Sequence, residues 1–274
     1  MIVRVPATSA NLGPGFDALG LALSLHVEVG IVGTDAISEH GHVADDGHPA
    51  QVAFARAGGT GQLWVDNVIP MGRGMGFSGA ARIAGIVAAE AQVNGGSWNK
   101  SESHALAIGT ELEGHADNVA PSLHGGIVIT SENLVVPVPL ALDPVFVMWI
   151  PEFSTSTNES RGKIGPLIAL EDAVFNIAHV AMFVAALASG STELLREGTR
   201  DRIHQDLRLA ASPPCKAALD AGLNAGAWCG WLSGSGPTVA IMCGPDDAAR
   251  IAAALPSDGH TKTLSIDFQG AVTL

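Results

Sequence analysis

Three glycine-rich segments constrain this chain more than any other feature. They are Ser9-Ala-Asn-Leu-Gly-Pro-Gly-Phe-Asp17-Ala-Leu-Gly20, Pro70-Met-Gly-Arg-Gly-Met-Gly-Phe-Ser78-Gly-Ala-Ala81 and Leu232-Ser-Gly-Ser-Gly-Pro-Thr238. A residue without a Cβ turns tightly and lets the backbone approach a neighbour closely. In the first segment Gly13, Gly15 and Gly20 permit the turn, and Asn11 and Asp17 bring an amide and a carboxylate into it. A hairpin with Asx-type hydrogen bonds is the plain reading. In the second, Gly72, Gly74 and Gly76 run straight into an Ala-rich helix, whose first amides form an anion cradle. Ser78 either offers its hydroxyl to a metal ion or caps that helix. Gly76-Phe-Ser78-Gly-Ala80 approaches a nucleophile elbow, but Ala80 stands where that motif needs Gly, which argues against hydrolysis. The third segment is a plain connection or a turn whose backbone faces a ligand.

Charge narrows the choice of ligand. The 274 residues carry 27 Asp+Glu against 14 Lys+Arg, a formal charge of −13. Such a surface repels nucleic-acid backbones and anionic lipid, so neither partner is expected. No lysine follows a Gly-rich turn, so the Gly-Lys-Ser/Thr phosphate loop is absent and any phosphate must be held by backbone amides. Cys215, Cys229 and Cys243 are odd in number and lack metal-ligand spacing, which fits a reducing compartment. The start, MIVRVPATSANLG, shows no charged leader before an apolar run, and Ala173 to Ala188 is shorter than a bilayer span and carries Asn176 and His179. A soluble, cytoplasmic protein is expected.

The pattern predicts strands at 2–5 and 20–32, the second from the alternation of Leu21, Leu23, Leu25, Val27 and Val29. Residues 35–50 read as a polar loop; its His40, His42, Asp45, Asp46 and His48 lack strict ligand spacing and are taken as solvated. A short helix at 50–57, a strand at 62–68, helices at 79–92 and 101–113 (Ser101 as cap) and a strand pair at 126–130 and 135–138 follow. Pro139 to Pro144 is the best candidate boundary. Beyond it come a strand at 145–150, a polar loop at 152–166 and helices near 170–189, 191–198 and 213–225. Strands at 227–233 and 238–243, a helix at 245–254 and strands at 261–274 complete an α+β chain of two packed domains. Trp64, Trp98, Trp149, Trp228 and Trp231 form no stacking stripe and are assigned to hydrophobic packing.

In order and spacing the three segments resemble the three motifs of the GHMP kinase superfamily, and within it those of the homoserine kinases. VPATSANLGPGFDALGLAL at residues 5–23 carries most of the likeness, with Glu113-Gly-His-Ala-Asp-Asn-Val-Ala-Pro121 and Leu123-His-Gly-Gly126. Thr157-Asn-Glu-Ser-Arg161, Ala173-Val-Phe-Asn176 and Asp201-Arg-Ile-His204-Gln-Asp-Leu-Arg208 extend it over nearly the whole chain, most weakly at 33–62. The resemblance implies a ribosomal-protein-S5-like N-terminal domain at 1–140 and a ferredoxin-like C-terminal domain at 141–274. The site would lie in the cleft between them, and homodimers are usual in the family.

The implied activity is ATP-dependent phosphorylation of the side-chain hydroxyl of an amino acid, L-homoserine first. Phosphoryl transfer needs a phosphate cradle, a metal and an oriented nucleophile. By resemblance Pro70, Gly72, Arg73, Gly74, Gly76, Ser78, Gly79 and Ala80 wrap the ATP phosphates, and Ser78 and Glu113 contact Mg2+. Glu111, on another helical face, is not given that role. The acceptor carboxylate falls to Arg161 and Arg208, matching the planar fork of a guanidinium. Asn11, Asp17, His115, Asp117, Asn118, Thr157 and Gly234 line the acceptor, with Asp17 nearest its hydroxyl as base or as orienting group. Asn11, Asp17 and Arg208 are the catalytic candidates, acting mainly by positioning and charge neutralisation. His204 matches a family histidine and is either a core residue or a ligand contact.

Two stretches depart from the family pattern. Its second motif normally reads Gly-Leu-Gly-Ser-Ser-Ala-Ala, whereas here Phe77 and Gly79 flank Ser78. An inward Phe77 ring would crowd ATP, and an outward one leaves the cradle intact. His48-Pro-Ala-Gln51 replaces the usual Asn-containing helix start near adenine. His179 stands where a basic residue is frequent. These changes keep open a kinase for another acceptor such as threonine, and a kinase-like binding protein with little turnover.

Overall fold

A computed structural model describes residues 1–99, 101–132, 134–155, 157–162 and 164–274, the side chains of Thr157, Asn158 and Glu159 excepted. The apolar alternation at 21–29 is borne out except at Leu25, which is only half-buried where the register with the first strand shifts. Strand β1 (Val3–Ala10) lies antiparallel to β2 (Leu19–Ile31), with Leu21, Leu23, Val27 and Val29 buried and Ser24, His26 and Glu28 half-exposed. The chain continues through β3 (His42–Val43), α1 (Pro49–Arg56), β4 (Leu63–Asn67), α2 (Phe77–Val93), α3 (Glu102–Glu113), α4 (Val119–His124), β5 (Ile127–Ser131) and β6 (Leu134–Pro137). β2 is the hub of this sheet, pairing with β4 at one end and with β5 at the other. α2 packs across β1 and β2, and its small residues explain how closely. Ala80, Ala81, Ala84, Gly85, Ala88 and Ala89 are all buried, so the helix lies nearly flush against the strands and against α1.

The second sheet begins with β7 (Val145–Pro151), followed by α5 (Thr157–Gly162), α6 (Leu170–Ser189), α7 (Thr192–Gly198), α8 (Gln205–Ala210) and α9 (Pro213–Asn224). β8 (Cys229–Leu232), β9 (Val239–Cys243), α10 (Ala248–Ala254), β10 (Gly259–Leu264) and β11 (Val272–Thr273) complete the chain. The strand order β10-β7-β9-β8, antiparallel throughout, is the ferredoxin-like arrangement. Period-two burial splits β7 between two cores. Phe146, Met148 and Ile150 join a large core shared with the first sheet, whereas Val147 and Trp149 join a smaller one under α9 and α10. The chain then returns, because β11 adds to the edge of β1 and Asp267 meets His26 of β2 at 2.7 Å.

Several local expectations change. The polar stretch 152–166 contains α5, and α4 and α8 appear where no helix was expected. These helices have six residues each, too short to show a period. Ser101 is the N-cap residue of α3, but its side chain makes no capping bond. His48 leaves the supposed solvated cluster to cap α1, its Nδ1 accepting from the Ala50 amide at 3.2 Å. No three metal-ligating side chains converge among the described residues. The apolar stretch around 173–188 forms a 20-residue helix, α6, long and apolar enough by length and composition to cross a membrane.

Candidate active site

The three glycine-rich segments, far apart in sequence, are fastened to one another. The Thr8 amide donates to the Met75 carbonyl at 3.1 Å, joining the end of β1 to the second segment. The Gly234 amide donates to the Ala10 carbonyl at 3.1 Å, joining the third to the first. Ser233 Oγ closes the triangle, donating to the Gly74 carbonyl at 2.6 Å beside Ser9 Oγ at 2.8 Å. Two glycines make this closeness achievable. A Cβ on Gly74 (φ 70°) would meet the Ser233 carbonyl at 2.2 Å, and one on Gly76 (φ 66°) would meet Thr8 Oγ1 at 1.8 Å. Gly76 is also the N-cap of α2, so the free amides of the first turn and the positive helix end face the cleft that these segments enclose.

On one side of the cleft stand charged groups. Asn11 and Asp17 adopt left-handed backbone angles (φ 71° and 57°), which short Asx side chains tolerate. Leu12 between them does so as well, and its full burial offsets the strain. The Asp17 amide donates to Asn11 Oδ1, and Asn11 Nδ2 donates to the Gly234 carbonyl at 3.0 Å. Arg161 grips both Asp17 oxygens at 2.7 Å each, and this hydrogen bond and charge raise its pKa against the opposing effect of burial. Arg208 is placed differently. It is buried, donates to His204 Nδ1 and the Gly234 carbonyl, and its Nε has no hydrogen-bond partner among the described residues. Burial, and then the neighbouring Arg161 cation, push its pKa down. Both guanidiniums lie over the Phe16 ring, 5.3 and 5.5 Å from its centre.

His204 is a core residue. Its Nε2 lies 2.8 Å from the Gly13 carbonyl while Nδ1 accepts from Arg208, which fixes the neutral ring that burial also favours. The buried Asp201 carboxylate accepts the amides of His204 and Gln205 and the Asn176 side chain, anchoring the start of α8 and with it Arg208. Within electrostatic range of Asp17 and Arg161, His115 and the buried Asp117 pair at 2.5 Å. Burial opposes charge on the His115 ring, but the hydrogen bond and charge of Asp117 outweigh it and raise its pKa.

The other side holds Ser78, whose Oγ donates to Glu113 Oε2 at 3.0 Å. Ser78 is therefore not the helix cap. One hydroxyl and one carboxylate, with no further protein ligand converging among the described residues, suit Mg2+, which keeps waters and takes phosphate oxygens. Arg82, one turn along α2, bonds both Ser78 Oγ and Glu113 Oε2, and burial pushes its pKa down. Glu111 faces away and pairs with Arg56.

The cleft brings together Asn11, Asp17, Pro70, Gly72, Gly74, Gly76, Ser78, Glu113, His115, Asp117, Asn118, Arg161, Arg208 and Gly234. Gly79 and Ala80 lie behind it, where Gly79 lets α2 approach Asn118. Arg73 is not on the lining; its guanidinium donates to the carbonyls of Met71, Pro151 and Glu152, tying the loop to the end of β7. The Thr157 side chain lies outside the described residues. Phe77 lines the cleft and meets His48 edge to face at 5.8 Å, so the two departures from the motif pattern touch each other. His179 stacks on Phe175 and reaches Glu197. Sequence reasoning missed Phe16, Thr155 and Arg82. An aromatic directly before Asp17, and an arginine one turn after Ser78, were the available signals.

Known proteins resemble this chain in sequence and in fold. The profile for the GHMP kinases N terminal domain matches residues 42–126, and that for GHMP kinases C terminal matches 183–261. A homoserine kinase of Thermus thermophilus is 38% identical, covering 96% of this chain and 94% of its own. That of Moorella thermoacetica is 40% identical, covering 88% and 87%. The crystal structure of homoserine kinase from Cytophaga hutchinsonii superposes with a TM-score of 0.84 at 26% identity, covering 100% of this chain and 97% of that one. The Methanococcus jannaschii mevalonate kinase shares the fold, with a TM-score of 0.72 at 14% identity, covering 97% and 98%. The chain belongs to the homoserine kinase family of the GHMP kinases.

Proposed function

We propose that this enzyme transfers the γ-phosphoryl group of ATP to the side-chain hydroxyl of L-homoserine, giving O-phospho-L-homoserine for threonine biosynthesis. The observation that carries the reading is the Asp17–Arg161 pair beside the under-partnered Arg208. An amino-acid zwitterion is complementary to such a set. Its ammonium takes the place of Arg161 at Asp17, and its carboxylate takes the two guanidiniums. Asn11 and Gly234 hold the Asp17 turn in register, and His115, Asp117 and Asn118 complete the acceptor wall.

ATP phosphates occupy the loop 70–80, where the amides of Gly74, Gly76, Ser78 and Gly79 supply the positive potential that a chain of charge −13 lacks overall. Pro70, Gly72 and Ala80 shape the cradle, and Arg73 supports it from behind. Ser78 and Glu113 hold Mg2+, which neutralises charge on the phosphates when bound. The acceptor oxygen bonds to the γ-phosphorus as the bond to ADP breaks, and the hydroxyl proton passes to solvent water. Asp17 orients the acceptor by pairing with its ammonium, in place of the Arg161 fork that holds both its oxygens in the free enzyme. Catalysis is positioning and charge neutralisation.

The same reading divides the chain at about residue 140, with β11 returning to the first sheet, and places it in the cytoplasm, free of nucleic acid and membrane. α6 is then a surface helix rather than a span, since Asn176 and His179 on its buried face engage Asp201 and Glu197. Its outer face exposes Leu170, Val174, Ile177 and Ala181, an apolar stripe that a homodimer would cover. The deciding experiment measures ADP release with ATP and Mg2+ against a panel of hydroxy amino acids. A kcat/KM for homoserine at least about tenfold above threonine supports the proposal. The reverse order makes it a threonine kinase, and saturable ATP binding without acceptor-dependent ADP makes it a binding protein.

A further inference from the structure

Arg82 is a cation on the nucleotide side whose position the phosphoryl-transfer reading does not require. Its guanidinium bonds Ser78 Oγ and Glu113 Oε2, the same two oxygens assigned to the metal. We infer that Arg82 is a resident counter-ion of this site, which a divalent cation must displace in order to bind. The inference rests on the reading of Ser78 and Glu113 as metal ligands and adds a cost and an order to metal binding.

Helix electrostatics explains why the pair forms and why it is exchangeable. Glu113 is the last residue of α3, at the negative end of that helix, where a carboxylate is disfavoured. The Arg82 guanidinium reaches back to the level of Ser78 in the first turn of α2, the positive end, where a cation is disfavoured. Each charge is compensated by the other and by nothing in its own helix dipole. Both side chains are mostly removed from water, with relative exposures of 22% and 13%, so neither can be left alone. Arg82 Nε is buried and has no hydrogen-bond partner among the described residues, so the pairing leaves a donor unused.

A nucleotide with its metal reverses this balance. The metal compensates Glu113, and the phosphates at the α2 N-terminus offer Arg82 an anion at short range. The displaced guanidinium then has acceptors for Nη and Nε together. In the absence of nucleotide the phosphate acceptors are missing, and the metal has to evict a paired arginine without recompense. Free enzyme therefore binds a divalent cation weakly, and nucleotide and metal bind together.

Mn2+ binding, read by electron paramagnetic resonance of the free ion, tests this without turnover. It is measured on wild type, R82Q, R82K and E113Q, each with and without ADP and each checked for cooperative unfolding. In the absence of ADP, R82Q binds Mn2+ tighter than wild type by roughly tenfold or more, because the competing cation is gone. R82K keeps a cation but not the fork that spans two oxygens, so its affinity falls between; it also serves if R82Q does not fold. With ADP bound the difference between R82Q and wild type shrinks. Equal Mn2+ affinity for wild type and R82Q without ADP, with E113Q weaker than both, overturns the inference and leaves the metal site standing. Mn2+ affinity unchanged by E113Q with and without ADP overturns the metal-site reading and the inference with it.

Discussion

Arg208 carries a charge that the folded protein does not fully balance. It is buried beside Arg161, stacked on Phe16 and left with an idle Nε, whereas Arg161 is held in a fork by Asp17. Under the proposed function, truncating it removes a charge-assisted contact with the acceptor carboxylate. Arg208→Ala raises the acceptor KM by about two orders of magnitude while ATP affinity changes less than about threefold. Steady-state kinetics and calorimetric ATP titration check this, and a loss of ATP binding alone would sink the assignment. Both arginines were singled out by their match to the family's motif positions, a match given weight by a chain with only 14 basic residues. Their inequality was not. It depends on Asp17 pairing across 144 positions and on His204 accepting from Arg208, both set by packing.

At the scale of elements, the decisive joint is between the end of β1 and the start of α2. Gly76 sits there with Thr8 against its α-carbon. Gly76→Ala adds overpacking to left-handed strain and lowers stability by about 2–5 kcal/mol, with ATP binding lost as the cradle opens. Gly33 separates the two causes. It has a similar angle (φ 82°) but open space around it, so Gly33→Ala costs only about 1–2 kcal/mol. Denaturant unfolding of the two variants reads the contrast; equal losses would show that contact with Thr8 contributes nothing. The glycine spacing and the Ala-rich helix announced this joint. The short helices α4, α5 and α8 did not announce themselves, since six residues hold too little pattern and tertiary anchors such as Asp201 fix where they start.

Over the whole molecule, the C-terminal return ties the second half of the chain to the first sheet. Asp267 accepts from the amides of Gln269 and Gly270 and pairs with His26 on β2. Burial favours its neutral form, but His26 and the two amides together overcome this and lower its pKa. The carboxylate therefore contributes stability at pH values above its unfolded pKa, near 3.8, and loses it as pH falls through the lower folded value. Asp267→Asn lowers stability at pH 7 by about 1–3 kcal/mol and flattens the acid limb of the stability curve. Thermal melts from pH 7 to pH 3 check both effects; a variant with an unaltered acid limb would exclude Asp267 from that titration.

Alternation in β2, the glycine spacing and the Ala-rich run after it are local instructions, read from the side chains, or their absence, at successive positions. The sequence by itself therefore determined most of the strands, the long helices and the three glycine-rich loops, whereas β3 formed within a stretch read as a polar loop. Electrostatic balance is a property of neighbours in space. Only the tertiary structure decided that Asp17 answers Arg161, that Arg208 keeps a donor free, and that Arg82 rests on the oxygens assigned to a metal. Chain separation sets no limit on those contacts, because a charge in a poorly hydrated cleft interacts with whatever the fold brings within a few ångströms.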